Sequence, residues 1–274
     1  MKMNIWEGIY NNFDECPKSG EGFNSLTWLT KSLERLNKLL DLSKQKSIIP
    51  HSEIFSVRMS LLPILTAIMT SKNITENIKI LDFGGGLGFT YVQIINSCLN
   101  IDLLDYHIVE SKTICEAGRK IFKHDKKLQF HTTFPSHLQT VDIVYLGSSI
   151  QYIQDWKKTL LTLKDFNPNY FVFTDLTAGD VQTYATVQKY YESYIPCWFF
   201  NLENFINYMN ILSYNLIFKA NYIHKILGKE QGIPQNNFPK KYRIGNSCNL
   251  LFSRTNFDMG AQSKILITKS VEQE

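Results

Sequence analysis

"ILDFGGGLGF", residues 80–89, places four glycines within five positions directly after an apolar run that ends in Asp82. The run "IKILDF" reads as a buried strand, and "GFTYVQIINSCL", residues 88–99, as the helix that follows it. A glycine-rich turn between the first strand and first helix of a parallel sheet lets a ligand touch the backbone at the positive end of the helix. One or two glycines satisfy a tight turn that needs positive φ; four exceed that need and mark a binding loop.

The loop does not carry the dinucleotide fingerprint GxGxxG or GxGxxA. Counted from Gly84 the last position is Phe89, and from Gly86 it is Tyr91. What is present is D-x-G-x-G-x-G, carried by Asp82, Gly84, Gly86 and Gly88. The second strand, "DYHIVE", ends in an acid, Glu110, and His107 within it reads as a packed strand residue.

Together these stretches resemble class I S-adenosylmethionine-dependent methyltransferases. The resemblance implies that Gly84, Gly85, Gly86 and Gly88 lie against the amino-acid portion of S-adenosylmethionine, that Asp82 orients its ammonium and sulfonium end, and that Glu110 holds the ribose. A carboxylate beside two cationic groups is favourable in a dehydrated pocket. "VDIVYLGSSIQYIQDWKKTL", residues 141–160, resembles the family's fourth strand and the loop after it. That implies Ser148 and Ser149 beside the cofactor and Gln151 and Tyr152 as substrate contacts. The acid that binds the adenine amino group in many members is missing, and Thr132, Thr133 and Phe134 stand in its place.

Outward from the loop, short β-rich runs alternate with helical ones from residue 78 onward, the pattern of a Rossmann-like, doubly wound, mostly parallel sheet. "LENFINYMNIL" predicts a late helix, and "YNLIFKANYI" and "CNLLFSRT" predict two late strands that finish the sheet with an antiparallel edge. Residues 1–75 read as a helical cap on a methyltransferase domain of residues 76–274. Within the cap, "LTWLTKSLERLNKLLDLSK" and "SEIFSVRMSLLPILTAIMT" are two helices, the second capped by Ser52, and Trp6, Tyr10 and Phe13 recur at helix-like spacing. The aromatic stretch "QTYATVQKYYESYIPCWFF", residues 182–200, reads either as a lid or wall over the acceptor or as core closure.

The 274 residues, 44% of them hydrophobic, suffice for a sizeable core. The net charge of +4 lies in scattered lysine pairs rather than a basic stripe, so nucleic acid is not expected as a partner. Five cysteines at 16, 98, 115, 197 and 248 form no CxxC pair or zinc spacing, so neither a disulfide framework nor a metal is expected. The N-terminus lacks the apolar core of a signal peptide and "MSLLPILTAIM" is too short to span a bilayer, which predicts a cytoplasmic protein without a transmembrane segment.

"WEGIYNNFDEC", "GFNS" and "YESYIPCWFFN", together with the glycine loop, resemble methyltransferases encoded in surface-polysaccharide and lipopolysaccharide gene clusters. This implies methyl transfer to a hydroxyl of a sugar or glycan precursor by in-line displacement, with a small-molecule or glycan-precursor acceptor as the expected partner. Such a hydroxyl calls for a general base, for which Asp175 at the end of "NYFVFTDL" is the first candidate, followed by Tyr152, Asp155 and His131. A non-catalytic cofactor-binding or scaffold module remains open, and a nicotinamide-dependent oxidoreductase is disfavoured by the failed glycine register. The sequence leaves the acceptor and the oligomeric state open.

Overall fold

The computed structural model describes residues 4–44, 61–71, 77–97, 103–226 and 229–255. In chain order its elements are β1 (Trp6–Tyr10), α1 (Leu26–Lys44), α2 (Leu62–Ser71), β2 (Ile78–Phe83), α3 (Phe89–Ser97), β3 (Leu104–Val109), α4 (Lys112–Ile121), β4 (Leu128–His131) and β5 (Ile143–Gly147). There follow α5 (Trp156–Lys164), β6 (Tyr170–Leu176), β7 (Ala178–Gly179), β8 (Tyr184–Tyr190), β9 (Ser193–Asn201), α6 (Leu202–Ile211), β10 (Tyr214–Tyr222), β11 (His224–Ile226), β12 (Lys229–Gln231) and β13 (Ser247–Arg254). The expected Ser52 cap and Cys98 lie outside the described residues.

Seven strands form the main sheet in the order β4-β3-β2-β5-β6-β13-β10. The five from β4 to β6 are mutually parallel, and β13 runs antiparallel between β6 and the edge strand β10. This is a Rossmann-like, doubly wound sheet. The chain steps outward from β2 to β4, then returns to lay β5 on the other side of β2. The carboxyl ends of β2 and β5 therefore flank the switch point, where such sheets open a crevice.

Both faces of the sheet are covered, which is why its strands read as continuous apolar runs. Ile80 packs with Tyr106, Tyr145 and Val172 on one face, under α1 to α4, while its neighbour Leu81 packs with Val144, Phe171 and Phe173 on the other, under α5 and α6. The late helix begins where its sequence signal put it: the Asn201 side chain accepts from the backbone N–H of Asn204 at 2.8 Å and caps α6.

The N-terminal segment differs from the expected helix. Trp6–Tyr10 is strand β1, paired antiparallel with β8 in a second sheet of order β1-β8-β9-β7. The register shifts between Glu7 and Tyr10, around Gly8 at φ +77°, so the period-two alternation is broken and the aromatic spacing mimics a helix. The aromatic stretch of residues 182–200 is the β8-β9 hairpin, turned at Tyr191 and Glu192. Trp6 sits edge-on to Phe199 at 5.1 Å and is 6% exposed. Trp6→Ala is expected to lower the unfolding free energy by about 3 to 5 kcal/mol in urea denaturation; a loss under about 1 kcal/mol would show that β1 is not anchored there.

Candidate functional site

Asp82, the penultimate residue of β2, is fully buried. Its Oδ2 accepts from Tyr106 Oη at 2.7 Å, whereas Oδ1 has no hydrogen-bond partner. A Cβ on Gly85 would stand 2.4 Å from Asp82 Oδ2, and one on Gly84 would stand 2.6 Å from Ser149 Cβ. Gly84, Gly86 and Gly88 all have positive φ. The chain's own packing thus accounts for the glycines, correcting the expectation that only a ligand's approach could demand so many.

The turn's donors are largely spent. Gly84 N–H donates to Val109 O at 3.0 Å, Gly88 N–H to Gly85 O at 3.1 Å, and Gly86 N–H to Glu110 Oε1 at 3.3 Å. With a carboxylate already on its N–H groups and another beneath it, this turn disfavours a pyrophosphate and suits a cation. Glu110 Oε2 accepts from Ser111 N–H at 2.6 Å, so both oxygens are fixed by backbone and each keeps acceptor capacity for a ligand. Burial raises the carboxyl pKa of Asp82 to about 7, opposed by the Tyr106 hydrogen bond and reinforced by the charge of Glu110. Burial also raises that of Glu110, against the backbone N–H groups of Ser111 and Gly86.

A cavity of about 750 Å³ opens over the switch point, and Gly84, Glu110, Ser148, Gln151, Tyr152 and Asp175 line it. Asp82 lies below this floor, next to Gly85. Phe83 and Thr132 contribute to the wall, and Phe83 stacks on Phe134 at 5.7 Å, an apolar flank beside Glu110 where the adenine acid is missing. Gln151 is 1% exposed; its Nε2 donates to Ser148 Oγ at 3.1 Å and Asp175 O at 3.0 Å, leaving Oε1 unpartnered. Residues of β1 and β8, among them Trp6, Gln188 and Tyr190, form the far wall. The hairpin therefore stands over the carboxyl ends of the strands, where a lid or wall belongs. A second cavity of about 520 Å³ lies between α1 and α3 and shares Gly147, Ser148 and Asp175 with the first.

Asp175, the penultimate residue of β6, has φ +52°, and Ser148, the residue just after β5, has φ +51°, two strained positions on neighbouring strands at one sheet edge. The Asp175 carboxylate does not cap the following turn: Thr177 Oγ1 donates instead to Trp198 O at 2.6 Å. Asp175 Oδ1 accepts from Ser247 Oγ at 2.5 Å and lies 3.3 Å from His224 Nε2. Burial raises its pKa, opposed by His224 and by the hydroxyls of Ser247 and Ser148.

Sequence reasoning passed over His224 and Ser247. Their place follows from strand direction in the structure: β10 runs parallel to β6, so the residues just after "YNLIFKANY" emerge at the edge that carries Asp175.

The other base candidates fare differently. Tyr152 Oη donates to Gln188 Oε1 at 2.8 Å, and burial lifts its pKa well above 10, which makes it a wall residue and a poor proton acceptor. Asp155 is exposed at the start of α5. His131 packs with His107 and His137, with ring centroids 5.2 and 5.8 Å away, and burial lowers its pKa to about 4. Neither Asp155 nor His131 lines the cavity.

No protein-family model matches the chain, and no curated protein matches its sequence. Among solved structures, an S-adenosylmethionine-dependent methyltransferase from Clostridium acetobutylicum aligns over 83% of this chain and 99% of its own, at 12% identity and TM-score 0.48. The YcgJ protein of Bacillus subtilis aligns over 73% and 100%, at 12% identity and TM-score 0.49. The 1,6-didemethyltoxoflavin-N1-methyltransferase of Burkholderia thailandensis, with bound 1,6-didemethyltoxoflavin and S-adenosylhomocysteine, aligns over 88% and 92%, at 8% identity and TM-score 0.48. Likeness at this level carries nothing about chemistry, which rests on the residues above. Among the described residues no helix is long and apolar enough to cross a membrane.

The buried carboxyl of Asp82 makes a pH prediction. Its proton is bound more tightly in the folded chain (about 7) than at the ordinary value of 3.8, so the folded state is favoured below that window and loses this contribution as pH rises through about 7. Asp82→Asn should remove a slope of up to about 1.4 kcal/mol per pH unit between pH 5 and 7 in denaturant unfolding. Parallel pH profiles for the two proteins would refute a neutral buried carboxyl.

Proposed function

We propose that this chain is an S-adenosylmethionine-dependent methyltransferase that transfers the methyl group to a hydroxyl of a small molecule, a sugar or a glycan precursor. The observation that carries the reading is the pair of carboxyl groups at the glycine turn. Asp82 keeps an unpartnered oxygen under a loop whose Gly84, Gly86 and Gly88 N–H groups are spent, and Glu110 presents two fixed oxygens to the cavity. That set fits a donor-rich ligand with a cationic end and a ribose diol.

When bound, the cofactor supplies an electrophilic methyl group on a sulfonium sulfur. Glu110 would accept the two ribose hydroxyls, Phe83 and Phe134 would flank the base, and Asp82 would act on the ammonium end from beneath Gly84 and Gly85. Ser148 and Gln151 mark the passage toward Asp175, where the acceptor's nucleophilic atom is aligned. The hairpin and β1 exclude water and offer Trp6, Tyr152 and Tyr190 as a half-polar aromatic wall suited to a ring-shaped acceptor. Positioning and water exclusion supply most of the rate.

Isothermal calorimetry with S-adenosylmethionine and S-adenosylhomocysteine tests the reading. Glu110→Ala loses two hydrogen bonds to a charged acceptor, about 2 to 4 kcal/mol, and should weaken binding at least tenfold. Because Asp82 must ionise to attract the ammonium group, affinity should strengthen as pH rises through about 7 and then level off, with Asp82→Asn flattening the curve. Absence of binding in the wild type, together with a fluorescence change on titrating NADH, would overturn the proposal.

A further inference from the structure

We propose that His224 is the group that takes the acceptor's proton, with Ser247 and Asp175 positioning its ring, and that the acceptor's nucleophile therefore enters protonated, as a hydroxyl. This rests on the methyl-transfer reading and gives Asp175 an orienting role in place of the direct base expected from the sequence.

The direction of the hydrogen bonds carries the argument. Ser247 Oγ, 2.5 Å away, donates to Asp175 Oδ1. The serine oxygen is then the acceptor for His224 Nε2 at 2.9 Å, and the same nitrogen lies 3.3 Å from Asp175 Oδ1. Two acceptors around Nε2 place the imidazole hydrogen there and leave the lone pair on Nδ1. Ser247 is fully buried, while His224 lines the 750 Å³ cavity, so the chain runs from a packed interior to a ligand-facing ring.

The scaffold holds this chain under strain: Asp175 keeps φ +52° because its N–H donates to Asn249 Oδ1 at 3.1 Å and its carbonyl accepts from Gln151. The titratable groups that feel the charge of Asp175 are Tyr145, Tyr152, Tyr222, Cys197 and Cys248, and burial pushes every one of them upward, so they stay neutral at pH 7. The imidazolium formed on His224 is thus the counter-charge this carboxylate meets.

The step balances. The acceptor O–H bond would break with its proton going to His224 Nδ1, the oxygen lone pair would bond the methyl carbon, and the carbon–sulfur electron pair would return to sulfur. The products are the methyl ether, the neutral thioether and a protonated His224 that releases its proton to solvent.

Carbethoxylation by diethyl pyrocarbonate at pH 7, followed by peptide mass spectrometry, reads the reactivity of the His224 ring without any acceptor. His224 should react in the folded wild type and at least about fivefold more slowly in Ser247→Ala and Asp175→Asn, with melting temperatures checked alongside. A His224 that reacts only after denaturation, or at the same rate in all three proteins, would overturn the proposal. With labelled S-adenosylmethionine and cell extract as the acceptor source, His224→Gln should cut methyl incorporation by on the order of 10²-fold with an unchanged dissociation constant for S-adenosylhomocysteine. Incorporation near wild type would equally overturn it. If the wild type binds no S-adenosylhomocysteine, the methyl-transfer reading falls, while the labelling experiment still decides whether Ser247 and Asp175 keep His224 an accessible, reactive imidazole.

Discussion

The carboxyl group of Asp82 fills the space that any side chain at residue 85 would need, and the geometry of the site follows from that contact. With position 85 confined to glycine, the turn can fold back over the end of β2 and bring Gly84 against Ser149, where a second side chain is excluded at 2.6 Å. The loops after β2 and β5 are thereby locked together across the switch point. Ser148 is held at positive φ one residue away, and its N–H donates to Thr174 O at 2.8 Å, which carries the constraint on to β6 and Asp175. The cost of a buried carboxyl and of two strained residues falls at one sheet edge, the usual place for strain with a purpose.

Above that edge the second sheet acts as a roof assembled from distant parts of the chain. β1 comes from the N-terminal region and β8 and β9 from residues 184–201, and Thr186 Oγ1 donates to Gly8 O at 2.7 Å to join them. Several hydrogen bonds tie the roof to the floor, among them Tyr152 Oη to Gln188 at 2.8 Å, Phe200 N–H to Thr177 O at 2.8 Å and Thr177 Oγ1 to Trp198 O at 2.6 Å. Its inner surface mixes aromatic faces with polar edges, whereas the floor is a row of acceptors. A ligand with a cationic, hydroxyl-rich end and a ring-shaped partner beneath the roof matches that division.

The central strands were legible because burial on both faces makes them continuous apolar runs, as in "KILDF" and "YFVFT", and the glycines marked the turn between β2 and α3. The N-terminal strand was not, because Gly8 and the bulge beside it break the alternation that identifies a strand. Glu110 was readable from its place at a strand end. His224 and Ser247 were not, since their meeting with Asp175 depends on the directions of β10 and β13, which no local pattern encodes. The reason for the glycines was half visible: a close approach was required, but at Gly84 and Gly85 the approaching groups are Ser149 and Asp82 of the same chain.

The central claim is that the carboxyl ends of β2, β3 and β5 hold S-adenosylmethionine with its methyl group directed at the Asp175–His224 pair. A crystal structure of the protein soaked with S-adenosylhomocysteine tests it most directly. The account predicts both ribose hydroxyls within hydrogen-bond distance of Glu110, and the sulfur beside Ser148 with its open side toward His224. A ligand bound with its ribose away from Glu110, or with its sulfur turned from His224, would contradict it.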